Sequence, residues 1–521
     1  MMKVGMYNRW LATLGGGEKH SLAVAEFLSR DCEVKVMSHQ EVSKEAASSR
    51  LKLDLSRVEF CPIPECTAEE LGKISGRFDL FINASFMSIF PVHAPMNICL
   101  VYFPYPVKKD PLQRFRRKMG FFLKQFFMIP TFENSLFQIK VHGKSYLFKI
   151  NVLTTLLLPG SRIPYSIRFL LAAGHPALRG ASFYLNERQI QSIALKKPGD
   201  YVLVKISVPA WRHPTPLKLT IQGEGDQSRS DLQLRHLVLS DLNIGHPHYR
   251  LFSRLLLKGT RGTLPRLYHM KPEPQSLLSI ISTYQQIWAN SKFTQKWIKK
   301  YWGRESEILY PPVDVEDFVP QAKRRRILNV GRFFAAGHNK KHLEMISAFK
   351  AMVNGGLKGW ELHLSGGTAP EFVHQEYLNQ VTLQAQGYPI VIHPDIPFPE
   401  LVELYGGSAI YWHASGYREN EDREPHKFEH FGITTVEAMA AGCVPVVIGK
   451  GGQPEIVRHG ENGFLWQSLR ELRSLTWELI NDKTLRRKLM LKAVKDSRRF
   501  NRAHFNDTLK RLLLSAKMTG S

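Results

Sequence analysis

The sequence predicts an α/β chain with two doubly wound, Rossmann-like lobes, the first interrupted by a β-sandwich-like insertion. Three observations carry that expectation. Short apolar strands alternate with helices from Lys3 to Tyr102, and the same alternation returns between Ile327 and Leu465. Between them, over residues 131–250, the alternation stops and short β-like runs stand between Gly, Pro and Asp breaks. A length of 521 residues with 43% hydrophobic side chains suits two to four domains with substantial cores. The expected division is 1–130 for the first lobe, 131–250 for the insertion, 251–320 for the rest of the first lobe and the linker, 321–484 for the second lobe, and 485–521 for closing helices.

In the first lobe, the strand from Lys3 to Tyr7 leads into Leu14-Gly15-Gly16-Gly17-Glu18-Lys19-His20 and a helix through Phe27. Three consecutive glycines let a backbone approach a phosphate or a sugar. The loop is not G-x-G-x-x-G, and no acid follows at the ribose-binding distance, which disfavours an NAD-dependent enzyme. Glu33 to Met37, Phe78 to Asn83 and Ile98 to Tyr102 read as further buried strands. In the insertion the strands are Ser145–Ile150, Ser166–Leu170, Ala181–Leu185, Tyr201–Ile206 and Leu217–Ile221. Trp211, between Pro209 and Pro214, is read either as a platform for a sugar ring or as a core anchor.

The most informative segment is His426 to Glu437. Ala409-Ile410-Tyr411-Trp412-His413 predicts a buried strand, Thr434 to Ala441 a helix stopped by Gly442, and Val444 to Ile448 the next parallel strand. The loop between them then lies at the carboxyl edge of a parallel sheet, where open α/β folds bind ligands. Amides around Gly432, Ile433, Thr434 and Thr435 would be the unpaired donors of a helix start, which attract phosphate. Glu429 and Glu437 are eight residues apart and would diverge by roughly 80° on one helix, so one belongs to the loop and one to the first turn. The competing explanation is that Thr434-x-x-Glu437 is only a capping box.

Glu429-x7-Glu437 followed by Ala438-Met439-Ala440-Ala441-Gly442-Cys443-Val444-Pro445-Val446-Val447 resembles the retaining GT-B glycosyltransferases of family 4. So do Ile327-Leu328-Asn329-Val330-Gly331-Arg332-Phe333 with Lys340, Tyr310-Pro311-Pro312-Val313-Asp314, and Gly451-Gly452-Gln453-Pro454-Glu455 through Leu465. The resemblance covers nearly all of residues 284 to 466 and implies a GT-B fold with the donor nucleotide in the second lobe. It places Arg332 and Lys340 against the donor diphosphate, and His413 and Glu429 near the transferred sugar. Gly16, Gly17, Gly331, Phe431, Gly432, Ile433, Thr434, Thr435 and Glu437 complete the donor-binding set, Glu437 holding the ribose. Many members of that family carry a histidine after the strand that here begins at Ile98, where this chain has Tyr102-Phe103-Pro104-Tyr105-Pro106; His20 and His93 are the candidates to replace it or are ordinary loop or helix-start histidines.

No Asp-x-Asp stands where it would hold a divalent ion, since Asp314-Val315-Glu316-Asp317 belongs to the interlobe segment. No metal and no cofactor are expected, and the two cations would stabilise the leaving diphosphate instead. The five cysteines, Cys32, Cys61, Cys66, Cys99 and Cys443, show no metal spacing and predict reduced thiols. The start enters directly into a strand, and no apolar run reaches membrane-span length, so a cytoplasmic protein is expected, peripheral at most on the cytoplasmic membrane face. A net charge of +25 calls for an anionic partner. Its densest cluster is Lys108, Lys109, Arg114, Arg116, Arg117, Lys118 and Lys124 among Phe115, Met119, Phe121, Phe122, Phe126 and Phe127, which reads as an acidic-membrane contact or as a solvated helix face. Nucleic acid is not expected, because no recognition motif accompanies the charge.

The expected function is transfer of a hexose, mannose by mild preference, from a nucleotide diphosphate sugar to a glycan or lipid-linked acceptor of the cell envelope, with the retention of anomeric configuration that the resemblance implies. The alternatives are a nucleotide-sugar processing enzyme that does not transfer and a non-catalytic glycan- or membrane-binding scaffold.

Overall fold

Lys3–Tyr7 is a run of apolar residues buried beyond its first position, as expected of a strand covered on both faces. The computed structural model, which describes residues 1–107, 119, 122–123, 126–133, 139–142, 145–151, 153–174, 177–195, 197–211, 217–225, 236–255, 277–335, 337 and 339–519, sets this strand inside a seven-stranded sheet. All pairings are parallel, in the order Glu307–Ile308, Gln286–Ala289, Met96–Val101, Leu80–Asn83, Lys3–Tyr7, Glu33–Ser38, Val58–Pro62. The order reverses at Lys3–Tyr7, so the loop leaving it, with Gly15 to Gly17, lies at the switch point where ligands bind. Val58–Pro62 was not among the expected strands; it is a short edge strand whose residues are mostly part-exposed.

The second lobe is a six-stranded parallel sheet in the order Ile390–Pro394, Glu361–Gly366, Arg326–Val330, Ile410–His413, Val444–Ile448, Phe464–Trp466. Its switch point falls between Arg326–Val330 and Ile410–His413, and the loops carrying Arg332, Lys340 and Glu429 leave from these two strands. The two lobes are therefore doubly wound, as the sequence predicted. Of the two closing helices, Lys483–Ser497 buries Leu489 and Ala493 in second-lobe cores. Only Arg502–Thr519 crosses back, placing Phe505, Leu509 and Leu512 in the first-lobe core with Leu22, Val34 and Ile98.

Lys109–Ser276 forms a compact unit separate from Met1–Lys108 and Leu277–Ser521. It holds two five-stranded antiparallel sheets: Val202–Val208, Tyr165–Ala173, His236–Ile244, Ser145–Asn151, Ile139–His142; and Arg188–Ala194, Leu178–Leu185, Leu217–Gly225, Leu153–Leu158, Thr131–Glu133. Alternate residues from both, such as Ile167, Phe169 and Leu171 against Ala181 and Phe183, fill the core of a β-sandwich. The unit is wider than 131–250 because Met128 and Ile129 before it and Tyr249 in the helix Pro247–Leu255 belong to that core. The first lobe accordingly resumes at the helix Leu277–Ile281 rather than near Leu251. Trp211 bonds through its amide to the Ser161 carbonyl at 2.7 Å and packs on the core, which is the anchoring role. The basic residues Lys108, Lys109, Arg114, Arg116, Arg117, Lys118 and Lys124, with Phe115 and Phe121, lie outside the described residues.

Candidate active site

Two glycines clear the way for the second lobe's cations. A Cβ on Gly331 would stand 2.6 Å from Lys340 Cγ, and one on Gly366 would stand 2.0 Å from the Gly331 carbonyl oxygen. With both absent, the strand Arg326–Val330 turns tightly and Lys340 runs back along the turn. Its Nζ lies 2.5 Å from Glu429 Oε2. His413, the last residue of its strand and fully buried, places Nε2 3.0 Å from the same oxygen. Burial would raise the Glu429 pKa, yet Lys340 and His413 outweigh it and hold the carboxyl well below the usual range. Glu429 is therefore a carboxylate with Oε2 engaged twice. Burial lowers the His413 pKa while Glu429 pulls it back up, and a neutral ring donating from Nε2 satisfies the pair. Gly452 donates its amide to the Glu429 carbonyl at 2.7 Å, and Cβ atoms on Gly451 and Gly452 would come within 2.5 Å of the Glu429 and His430 carbonyls. These glycines thus let the loop back the Glu429 segment at close range.

Arg332 is placed differently. Its guanidinium sits over the Phe334 ring, 4.4 Å from the centroid, is exposed, and forms no ion pair among the described residues. A cation held by a ring face and unmatched by an acid is available to an anionic ligand.

The helix carrying Glu437 begins earlier than expected, at Ile433, with Gly432 as its N-cap at φ 119°. Only glycine adopts that angle readily, and a Cβ there would meet Gln453 Nε2 at 2.4 Å. The capping box is absent: Thr434 Oγ1 accepts from the Tyr411 hydroxyl at 2.8 Å, and Thr435 Oγ1 donates to Gln453 Oε1 at 2.9 Å. Glu437 instead accepts from the Tyr405 hydroxyl at 2.9 Å. Burial raises the Glu437 pKa, against the pull of Tyr405 and Lys19. The first amides bonded back to Gly432 are those of Thr435 and Val436, so Ile433 and Thr434 precede the helix's own bonding. Phe431 is buried between Tyr310 and Phe500, with centroids at 5.4 and 5.2 Å, so its ring serves the core rather than a ligand.

The first lobe meets this helix start at its glycine loop. A Cβ on Gly16 would fall 2.7 Å from Ile433 Cδ1, so the starts of Gly16–Leu28 and Ile433–Ala440 abut. Two helix N-termini converging on one cleft make a field suited to an anion. Gly17 packs against the Tyr102 ring, and its carbonyl accepts the Tyr102 hydroxyl at 2.6 Å. Lys19 pairs with Asp314, which Arg502 also holds at 3.2 Å; Lys52 holds Asp317 at 2.7 Å. Asp314 and Asp317 are thus engaged by cations, and no cluster of three or more metal-ligating side chains occurs among the described residues.

Neither first-lobe histidine reaches the cleft. His20 is buried between the Tyr102 and Phe505 rings, with its pKa lowered by burial to about 3. His93 lies beside Gly72 and Gly76, its amide bonded to Ser75 Oγ at 2.8 Å. After the strand Met96–Val101, Phe103 stacks on His430 with centroids 4.4 Å apart. His430, Tyr405 and Lys19 are the residues that sequence reasoning missed; the only signal was the adjacency of His430 and Lys19 to motifs already noticed. Glu455 accepts the Lys292 and Phe293 amides at 2.8 and 2.7 Å, capping the first-lobe helix Lys292–Trp302 across the lobes.

Residues 314–495 match the family described as Glycosyl transferases group 1. A GDP-Man:Man(3)GlcNAc(2)-PP-Dol alpha-1,2-mannosyltransferase of Dictyostelium discoideum is 23% identical over 283 residues, 51% of this chain and 52% of that protein. The alpha-1,3/1,6-mannosyltransferase ALG2 of Mus musculus is 24% identical, over 42% of this chain and 54% of its own. The chain thus spans about half the length of these curated relatives. Among solved structures, Anabaena Alr3699/HepE in complex with UDP aligns with a TM-score of 0.52 at 12% identity, covering 99% of this chain and 100% of that one. Sucrose-phosphate synthase of Thermosynechococcus elongatus aligns at 0.51 and 10% identity, covering all of both chains. With the parallel sheets of the two lobes and the acids at the carboxyl edge of the second, these likenesses identify residues 314–495 as a Glycosyl transferases group 1 domain within a GT-B fold.

Proposed function

We propose that this chain is a metal-independent glycosyltransferase that moves mannose from a nucleoside diphosphate donor to a lipid-linked glycan, with retention of anomeric configuration. The observation that carries the reading is the Lys340–Glu429–His413 cluster, with the unpaired Arg332 following Gly331 on the turn against which Lys340 packs, together with the two abutting helix starts. In this reading the diphosphate lies against Arg332, Lys340 and the Ile433 and Thr434 amides, Glu437 accepts from the ribose diol, and the second oxygen of Glu429 takes a sugar hydroxyl. No nucleophilic side chain is assigned on the opposite face of the sugar. The acceptor oxygen bonds to the anomeric carbon on the face from which the phosphate oxygen departs, and that oxygen takes the acceptor's proton. Mannose and the lipid-linked acceptor follow from what the relatives' names state of those proteins. No helix among the described residues is long and apolar enough to cross a membrane, and a peripheral position on the cytoplasmic membrane face is part of the proposal.

The test is turnover and product analysis with a panel of sugar nucleotides and a lipid-linked oligosaccharide acceptor. Arg332→Ala and Glu437→Ala should each lower turnover by about a hundredfold, the scale of removing one fixed donor from a developing anion. Wild-type turnover in both variants would sink the assignment, as would sugar release that needs no acceptor.

A further inference from the structure

The helix Lys483–Ser497 carries a surface that the reaction does not use. Leu489 and Ala493 bury one side of it in the second lobe. On the other side Thr484, Arg487, Lys488, Leu491, Lys492 and Lys495 line a groove of about 690 Å³ with Gly460 and Glu461. Their spacing of three and four residues keeps them on one face over about 17 Å of helix.

The acids near this face are already engaged. Glu461 pairs with Arg458 at 3.1 Å, and Asp496 is held by Arg458 at 2.5 Å and by Asn462 at 3.0 Å. Asp482 caps the helix by accepting the Leu485 amide at 2.8 Å. Among the described residues Arg487, Lys488 and Lys495 form no ion pair, and Lys492 has only Asp496 at 3.8 Å. At the centre of these cations Leu491 is 60% exposed. A lone apolar side chain ringed by unmatched cations suits the headgroup layer of an acidic bilayer, where the cations meet phosphate and the leucine enters the acyl boundary.

We propose that this face is the chain's docking surface for an anionic phospholipid membrane. The proposal rests on the membrane association in the function proposed above and names the surface that makes it. The experiment is flotation of the full chain with phosphatidylcholine vesicles, with and without phosphatidylglycerol. The wild type should bind only the acidic vesicles and release at high salt. The triple variant Arg487→Glu, Lys488→Glu, Lys495→Glu should lose binding on the order of a hundredfold, and Leu491→Ala about tenfold. All four positions are exposed or solvent-facing, and thermal melts together with donor binding report whether the variants stay folded. Acid-lipid binding by the triple variant equal to wild type would overturn this surface while leaving membrane association intact. A wild type that ignores acidic vesicles would overturn both, without touching the transfer reaction, which is read on a detergent-solubilised acceptor.

Discussion

The two lobes share a parallel sheet, a switch point and a helix start facing the cleft, but they furnish that edge in opposite ways. The second lobe supplies the titratable and cationic groups: Arg332, Lys340, Glu429 and, on its helix, Glu437. The first supplies mainly shape, through Gly16 against Ile433, Gly17 against Tyr102 and Phe103 against His430, with Lys19 already paired to Asp314; its buried histidine, His20, is a neutral core residue. The difference teaches that a common fold does not distribute chemistry evenly. A charge at a cleft persists only where an opposite charge or hydrogen bond offsets its desolvation, and in the second lobe the loops after Arg326–Val330 and Ile410–His413 bring Lys340 and Glu429 against His413 at a strand end.

The sharpest way to break the contrast is to remove one member of the charged cluster. Lys340→Ala leaves Glu429 a buried carboxylate with only His413, so turnover should fall at least a hundredfold and stability by about 3 kcal/mol. In a double-mutant cycle with Glu429→Ala the two losses should be strongly non-additive in denaturant melts; additive losses would show that the pair does not act as a unit.

The next effect concerns the neutral histidines. His20 and His342 are buried with pKa values lowered to about 3, beneath the unfolded value near 6.5, so the unfolded state binds more protons between those limits. Their folding contribution is intact above about pH 6.5 and declines as pH falls towards 3, by roughly 1.4 kcal/mol per pH unit for each. His20→Leu should flatten that acid limb in melts from pH 7 to 4 while leaving donor affinity unchanged; a change in donor affinity would return His20 to the cleft.

Shape should be worth less than charge. Gly16→Ala drives a Cβ into Ile433 Cδ1 and should weaken donor binding about tenfold, and Ile433→Val, which removes that atom, should restore it. Failure of the rescue would mean that the glycine serves the ligand directly rather than the meeting of the helices. Smallest of all, Phe103→Ala removes the stack on His430 and should cost about 1 kcal/mol beyond the buried area lost, read as a lower melting temperature with a few-fold change in turnover.

Much of this was legible in the chain. The uninterrupted apolar runs at Lys3–Tyr7, Ile410–His413 and Val444–Ile448 announced buried parallel strands, since both faces of such strands are covered. The sandwich was harder. Leu153–Leu158, Arg188–Ala194 and His236–Ile244 escaped notice because half-buried strands carry mixed patterns that neighbours complete. At the site, Glu429 and Glu437 stood out as a spaced pair, one placed in the loop toward the sugar and one in the first helical turn toward the ribose. The structure separates them: Lys340 and His413 lower the pKa of one, and burial beside Tyr405 raises that of the other.

Local spacing was enough for the central strands of both lobes, the glycines at the turns and the family likeness of the second lobe, because periodicity and backbone freedom act over a few residues; the edge strands Val58–Pro62 and Ile390–Pro394 lacked that signal. Which acid has its pKa lowered and which raised, which cation stays free of an ion pair and which histidine is buried were decided by folding. Lys340 and Glu429 are 89 residues apart, and Tyr405 and Glu437 are 32 apart, yet each pair is within hydrogen-bonding distance. Protonation and pairing follow from through-space distance and burial, quantities that no stretch of sequence contains by itself.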